Sequence, residues 1–144
     1  MVVRWLLIAT LVLVGCGGEA SAATLKGPIE YAKSGGIAGI GHRVTVRPDG
    51  RGTTANRDHK RSFRLSSAGL RELERAVATA RLNRTKSPKR GEGADGFAYE
   101  ISYDGDKVRW DDFSKDPPKR VTDLAGILDE LYERFTPRCD SNYC

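Results

Sequence analysis

The chain is poor in the residues that most often carry catalysis and metal binding. It has two histidines and three cysteines among its 144 residues. His42 and His59 stand apart from each other, and no cluster with the spacing of zinc ligands surrounds them. The sequence also lacks an HExxH helix, a GxSxG elbow and a phosphate-binding loop between a strand and a helix. We therefore predict no catalytic residue, no metal site and no cofactor.

The remaining candidates for chemistry are carboxylates and aromatic rings. Asp111 and Asp112 are adjacent at the end of a predicted strand, so their side chains point to opposite faces and are expected to be solvated edge charges. The aromatic residues at strand spacing are Phe97, Tyr99, Tyr103 and Trp110. Such a row could bind a sugar or a lipid, but its spacing is more typical of a core.

A long apolar run is also missing. The longest run, residues 5–14, is interrupted only by Thr10. It follows Arg4, which is the only charged residue among residues 1–15. It has about half of the roughly 20 residues that cross a bilayer, which favours an export signal over a lasting membrane helix. The run ends in Leu13-Val14-Gly15-Cys16, which resembles the bacterial lipobox.

The lipobox resemblance implies that the Cys16 thiol is acylated and that the protein is held at the outer face of the bacterial cell membrane. The alternative is ordinary cleavage after Ala20-Ser21-Ala22, which would release a soluble protein. The net charge of +5 is modest, and basic and acidic residues are interspersed. Because no motif that reads nucleic acid accompanies this charge, we predict no nucleic-acid partner.

The composition divides the chain into four segments. Residues 1–15 form the signal peptide, and residues 16–27 contain the lipidated cysteine and a flexible tether of small residues. Residues 28–135 have the length of one domain. Residues 136–144 form a tail in which Cys139 and Cys144 are expected to pair outside the cytoplasm.

Alternating apolar residues predict several strands in the domain. Val44 and Val46 lie on one face of the second strand, and Asp49-Gly50 provides a turn into the third. A two-residue connection at this turn would place Val46 opposite Thr53 and Val44 opposite Ala55.

A second hairpin is predicted around Asp104-Gly105. A two-residue turn there pairs Ile101 with Val108 and Tyr99 with Trp110. This register keeps the large apolar residues on one face, whereas a slip of one residue would move Val108 and Trp110 to the other side.

Two amphipathic helices complete the domain. Ser66 is the expected N-cap of the first helix. Its apolar stripe is Leu70, Leu73, Val77 and Ala80. The last helix starts at Asp116-Pro117-Pro118. Its stripe is Val121, Leu124, Ile127, Leu128, Leu131 and Phe135. We predict an α+β fold, with an antiparallel sheet of four to five strands and both helices packed on one face.

The first two strands are joined by a glycine-rich stretch, Ser34-Gly35-Gly36-Ile37-Ala38-Gly39-Ile40-Gly41. Glycine permits positive φ angles and close approach of another chain, and the two isoleucines provide apolar side chains for such a partner. Alternatively, both isoleucines turn inward and seal the end of the sheet.

Two stretches carry a resemblance to a known family. Ser34-Gly35-Gly36-Ile37-Ala38-Gly39-Ile40 follows an Ile29-Glu30-Tyr31 strand, and Gly93-Ala94-Asp95-Gly96-Phe97-Ala98-Tyr99-Glu100-Ile101 follows a helix. Over residues 29–135 the chain resembles emfourin, a family of small inhibitors of thermolysin-like zinc metallopeptidases such as protealysin. The family fold is an antiparallel sheet with helices, in agreement with the predicted elements.

The resemblance implies that loops at one end of the sheet occupy the active-site cleft of a thermolysin-like peptidase, so that no catalytic residue is needed. The contact residues it implies are Ser34, Gly35, Gly36, Ile37, Ala38, Gly39 and Ile40. In the second motif, Phe97, Tyr99 and Ile101 are assigned to the core, and Asp95 to ordering the preceding loop. The alternative function is a non-inhibitory lipoprotein of the cell envelope that acts as a binding or scaffolding module.

Overall fold

The computed structural model describes residues 24–136. The predicted signal peptide, the lipidation at Cys16, most of the tether and the Cys139–Cys144 pair lie outside the described residues. The strands are β1 (Ile29–Gly35), β2 (Ile40–Val46), β3 (Arg51–Ala55), β4 (Lys60–Arg64), β5 (Phe97–Tyr103) and β6 (Asp106–Asp111). The helices are α1 (Ser67–Ala80), a short 3₁₀ turn (Leu82–Arg84) and α2 (Lys119–Phe135).

The six strands form one sheet in the order β4-β3-β2-β1-β5-β6. Every neighbouring pair is antiparallel. The predicted α+β class is therefore confirmed, with six strands where four to five were expected. None of the described helices is long and apolar enough to cross a membrane.

The β2–β3 connection differs from the predicted two-residue turn. The Arg47 amide donates to the Arg51 carbonyl at 2.8 Å, and the Gly50 amide donates to the Arg47 carbonyl at 3.0 Å. Gly50 has a φ of +78°, which is the geometry of a three-residue turn closed by a left-handed residue. The predicted register was wrong by one residue, because Val46 pairs with Gly52 and Val44 with Thr54.

The β5–β6 hairpin has the predicted register. Ile101 pairs with Val108 and Tyr99 pairs with Trp110. Asp104 and Gly105 have φ angles of +52° and +86°. Positive φ at both central positions is typical of the type I′ turns that suit the twist of a hairpin.

Both helices contribute to a single core with one face of the sheet. Ser66 caps α1 as predicted, since its hydroxyl oxygen accepts a hydrogen bond from the Gly69 amide at 3.2 Å. Tyr132 of α2 is also buried, which the predicted stripe had missed. The fully buried side chains of the core include Ile29, Tyr31, Val44, Val46, Ile101, Val108, Val121 and Leu128.

The two ends of the sheet carry different parts of the chain. At one end, Gly35 pairs with both Ile40 and Phe97, so the β1–β2 turn lies beside the start of β5. We call this the loop end; the turn between β3 and β4 lies there too. The chain enters at the opposite end, where the Lys26 amide donates to the Tyr103 hydroxyl at 2.9 Å. The seven residues of β1 separate the two ends by about 20 Å.

Candidate functional site

The β1–β2 turn is tight and depends on glycine. Gly35, Gly36 and Gly39 have φ angles of +114°, +72° and +61°. The Gly39 amide donates to the Gly36 carbonyl at 3.0 Å and closes a four-residue turn. Ile37 and Ala38 therefore occupy its two central positions, at the tip of the hairpin.

The tip presents an apolar side chain to solvent. Ile37 is 92% exposed, so it does not seal the end of the sheet. Ile40 is half-buried at the start of β2. It is partly withdrawn from solvent, as sealing the sheet end requires, and partly accessible, as contact with a partner requires. The other predicted contact residues are also accessible. Ser34, Ala38 and Gly39 are exposed, and Gly35 and Gly36 are half-buried.

The two sequence motifs meet at the loop end. The Gly36 amide donates to the Gly96 carbonyl at 3.2 Å. A Cβ atom on Gly36 would lie 2.9 Å from the Phe97 ring, so this close approach requires glycine. Phe97 itself is half-buried beneath Lys33, whose ammonium lies 5.0 Å from the ring centroid. Phe97 is thus outside the core to which it was assigned, whereas Ile101 is fully buried.

The β3–β4 turn braces the tip from the other side. The Arg57 guanidinium donates to the Gly39 carbonyl at 3.3 Å. The Asn56 side chain accepts the amides of Asp58 and His59 at 3.0 and 2.7 Å, an arrangement that fixes the shape of this turn. Nothing in the local sequence signals the contact between Arg57 and Gly39, which are far apart along the chain.

Phe113 is a second apolar group at the loop end. Its side chain is 43% exposed, and it and Ile37 are the two exposed large hydrophobic residues among residues 24–136. Its ring lies against Gly93 and Gly96, and its backbone carbonyl and Cβ atom lie against Gly91. A Cβ atom on any of these glycines would come within 2.4 Å of Phe113. Gly96 therefore contacts the Phe113 ring and also accepts from Gly36. Phe113 was not among the predicted contact residues, although the glycines of residues 91–96 are a sequence signal of this packing.

Asp111 and Asp112 hold this glycine segment in place. Asp111 is only 9% exposed, and its carboxylate accepts the Ser114 hydroxyl at 2.8 Å, the Phe113 amide at 3.1 Å and the Gly91 amide at 3.3 Å. The Ser114 hydroxyl, followed by these amides and Arg90, lowers the Asp111 pKa against the opposing effect of burial. The prediction that Asp111 is a solvated charge is wrong, because the segment of residues 91–96 folds over its carboxylate.

Asp112 fixes the start of β5. Its carboxylate accepts the Phe97 amide and the Tyr99 hydroxyl, both at 2.8 Å. Burial raises the pKa of Tyr99, and the hydrogen bond to Asp112 adds to the shift. The predicted organiser of this segment was Asp95, which is exposed and makes no side-chain hydrogen bond within residues 24–136.

The two histidines lie in different environments. His42 lies on the helix-covered face and stacks on Tyr132, with ring centroids 3.8 Å apart and 14° between planes. Burial, followed by the charge of Lys33, lowers its pKa. His59 lies in the exposed β3–β4 turn. Within the described part of the chain, no group of three or more His, Cys, Asp or Glu residues is arranged to hold a metal ion.

The loop end is therefore a braced, apolar-tipped surface on an α+β domain. A scan against protein-family models finds no match for this chain, and a search of curated proteins finds none either. The resemblance to emfourin rests on the two motifs, which lie in contact through Gly36 and Gly96.

Proposed function

We propose that this protein is a membrane-tethered inhibitor of a thermolysin-like zinc metallopeptidase, and that its loop end blocks the active-site cleft. The observation that carries the proposal is the position of Ile37, which is 92% exposed at the tip of a closed glycine turn. The resemblance to emfourin supports it, because it implies this target class and this loop.

Ile37 is suited to an apolar specificity pocket. Fully burying an isoleucine side chain is worth roughly 1.5–3 kcal/mol. The turn that presents it is held by the Gly36–Gly96 hydrogen bond and by Arg57 on Gly39. Such bracing reduces the conformational entropy that would be lost on binding.

One isoleucine is too small a surface for a stable complex, since specific interfaces bury about 1,200–2,000 Å² in total. Phe113 extends the apolar contact, as its ring lies on Gly96 beside the turn. The remaining contacts would come from the backbone of the turn and from the polar rim of Ser34 and Arg57, both of which are exposed.

The position of the tether suits this role. The chain enters the domain at the sheet end opposite the turn, where Lys26 contacts Tyr103. If Cys16 carries lipid, the tether joins the domain at the end remote from the loop end, which leaves the loop end free to meet a peptidase at the outer face of the cell. Cleavage near Ala22 would give a secreted inhibitor with the same contact surface.

Hydrolysis of a peptide substrate tests the proposal. The full-length protein, purified in a neutral detergent, should inhibit at least one of a panel of thermolysin-like peptidases in a stoichiometric manner. Ile37→Asp should weaken inhibition by about 30-fold or more, the loss expected for an interface hot spot of at least 2 kcal/mol. Phe113→Ser should weaken it less.

The matched control is Ala68→Asp, which adds the same charge at an exposed position in the first turn of α1. It should inhibit as the wild type does. No inhibition of any peptidase at excess wild-type protein would overturn the proposal. It would leave the second candidate, a non-inhibitory envelope lipoprotein that uses the apolar pair of Ile37 and Phe113 for a different ligand.

A further inference from the structure

The sheet face opposite the helices is solvent-facing and carries an uneven distribution of charge. On strands β2, β3 and β4 and directly after β2, its basic residues are Arg43, Arg47, Arg51, Lys60 and Arg64, all of them exposed. Of these five residues, only Arg51 forms a salt bridge within residues 24–136, with Asp49 of the adjoining turn at 3.5 Å. We call this half of the face the basic face.

The strand register arranges the basic face in rows. Thr45 pairs with Thr53, and Thr53 with Ser62, which gives a row of hydroxyl groups across three strands. This row is about 10 Å long, since neighbouring strands lie about 4.8 Å apart. The row lines a shallow depression together with Arg47, Arg51 and Lys60.

Basic residues stand on both sides of this row. On one side, Arg43 and Lys60 both pair with Ala55. On the other side, Arg64 pairs with Arg51. Arg47 lies beside Arg51, since its amide donates a hydrogen bond to the Arg51 carbonyl. The two basic rows are four residues apart along the strands, or about 13 Å. A chain of negative charges lying on the hydroxyl row would therefore have cations along both of its sides.

We propose that the basic face binds a linear polyanion whose charges are phosphate groups. The arginine guanidinium donates in a planar fork that matches phosphate oxygens, and the threonine and serine hydroxyls can donate to the same oxygens. The proposal is independent of the inhibitory role, because the basic face and the Ile37 side chain belong to different parts of the sheet.

Two other anionic partners fit the basic face less well. Binding to a membrane surface gains from buried apolar area, but the side chains of the basic face are cations, hydroxyls and the methyl group of Ala55. Single-stranded nucleic acid is usually held by stacking of bases on aromatic rings, and no aromatic side chain belongs to these rows. A phosphate polymer needs neither feature.

Glu30 limits the site on the β1 side. It is exposed and pairs with Thr45 across the β1–β2 ladder, so its carboxylate lies at the end of the hydroxyl row. A bound anion is repelled at this point, and the site is open instead at the β4 edge of the sheet.

Fluorescence anisotropy with end-labelled inorganic polyphosphate tests the proposal on the full-length protein in neutral detergent. If all five cations contribute, the logarithm of the binding constant should fall with the logarithm of salt concentration with a slope of about −3.5. The variant Arg43→Gln/Arg64→Gln should bind at least about tenfold more weakly near 0.1 M salt, and its slope should be shallower by about 1.4.

The control is Arg71→Gln/Arg75→Gln, which removes the same charge from the exposed side of α1. It should bind within about twofold of the wild type at that salt concentration. Thr45→Val/Thr53→Val should weaken binding several-fold with an unchanged salt slope, and Glu30→Gln should strengthen it.

Three outcomes would overturn the proposal. The first is no binding of polyphosphate at about 50 mM salt. The second is an equal loss in the α1 control, which would mean that net charge alone attracts the probe. The third is tighter binding of a single-stranded oligonucleotide of the same charge, which would assign the basic face to nucleic acid.

Discussion

Gly35 and Gly96 approach each other so closely that a Cβ atom on Gly35 would lie 2.6 Å from the Gly96 carbonyl oxygen. The same oxygen accepts the Gly36 amide. Gly35 also has a φ of +114°, a conformation that other residues rarely adopt. This contact joins the β1–β2 turn to the segment that supports Phe113, so the apolar surface at the loop end depends on a pair of glycines.

Replacing Gly35 by alanine should destabilise the protein by about 2 kcal/mol or more, because the new methyl group combines backbone strain with a clash against a carbonyl that cannot move freely. Urea denaturation followed by circular dichroism measures the change. Gly41→Ala is the matched control in the same hairpin, since its φ is not positive and nothing lies within 4 Å of the added Cβ. Equal midpoints for the two variants would show that the close contact is absent.

Ser114→Ala should raise the Asp111 pKa, because the serine hydroxyl is the largest of the groups that lower it. Arg90→Gln should raise it less, since Arg90 contributes least among them. Heteronuclear NMR of the carboxyl carbon measures both shifts. A larger shift in the Arg90 variant would mean that the charge, and not the hydrogen bond, controls Asp111.

The Asp111 carboxylate should also make the stability of the protein depend on pH. Its pKa is lower in the folded state than the ordinary value of about 3.9, so protonation favours unfolding. The stability that Asp111 provides is present above about pH 3.9 and is lost as the pH falls through the folded-state pKa. The difference in unfolding free energy between the wild type and Asp111→Asn should therefore shrink in acid.

The titration of His42 should affect stability at a higher pH than the titration of Asp111 does. Its folded-state pKa is lowered by burial against Tyr132 and by Lys33, while Asp129 and Glu133 oppose the shift. Protonation therefore favours the unfolded chain, and the wild type should lose stability relative to His42→Phe as the pH falls below about 6.5.

Lys33→Met provides the check on cause, since removal of its charge should raise the His42 pKa. Proton NMR of the imidazole ring measures the titration directly. A wild-type pKa at or above about 6.5 would contradict the role of burial.

Much of the fold could be predicted because the local turn and capping residues agree with the pattern of apolar residues that become buried. Asp104-Gly105 specifies a turn of defined length, and the alternation of Tyr99 and Ile101 then leaves one register that keeps the large apolar residues on one face. Ser66 marks the start of α1 for a similar reason, since its hydroxyl satisfies an amide of the first turn.

The loop end could be predicted only in part. The exposed tip at Ile37 follows from the glycines around it, but its braces come from residues that are distant in sequence. Arg57 reaches Gly39 from another turn, and Asp111 becomes buried because residues 91–96 fold over it. The local sequence pattern does not reveal such distant contacts, so Asp111 was predicted to be a solvated charge and the contact of Arg57 with Gly39 was not predicted.

The error in the β2–β3 register leads to the last prediction. A three-residue turn places Thr54, and not Thr53, on the core face of β3. Thr54 is 1% exposed, and its hydroxyl has no hydrogen-bond partner among the described residues. A buried hydroxyl of this kind costs roughly 1–3 kcal/mol.

Thr54→Val should therefore stabilise the protein by about 1 kcal/mol, because valine has nearly the same shape and removes the unsatisfied group. Thr53→Val, on the solvent-facing side of the same strand, should change stability by less than about 0.5 kcal/mol. Thermal unfolding of the two variants beside the wild type measures the difference. The opposite result, a gain from Thr53→Val and none from Thr54→Val, would restore the two-residue turn and shift every residue of β3 to the other face of the sheet, because side chains alternate along a strand.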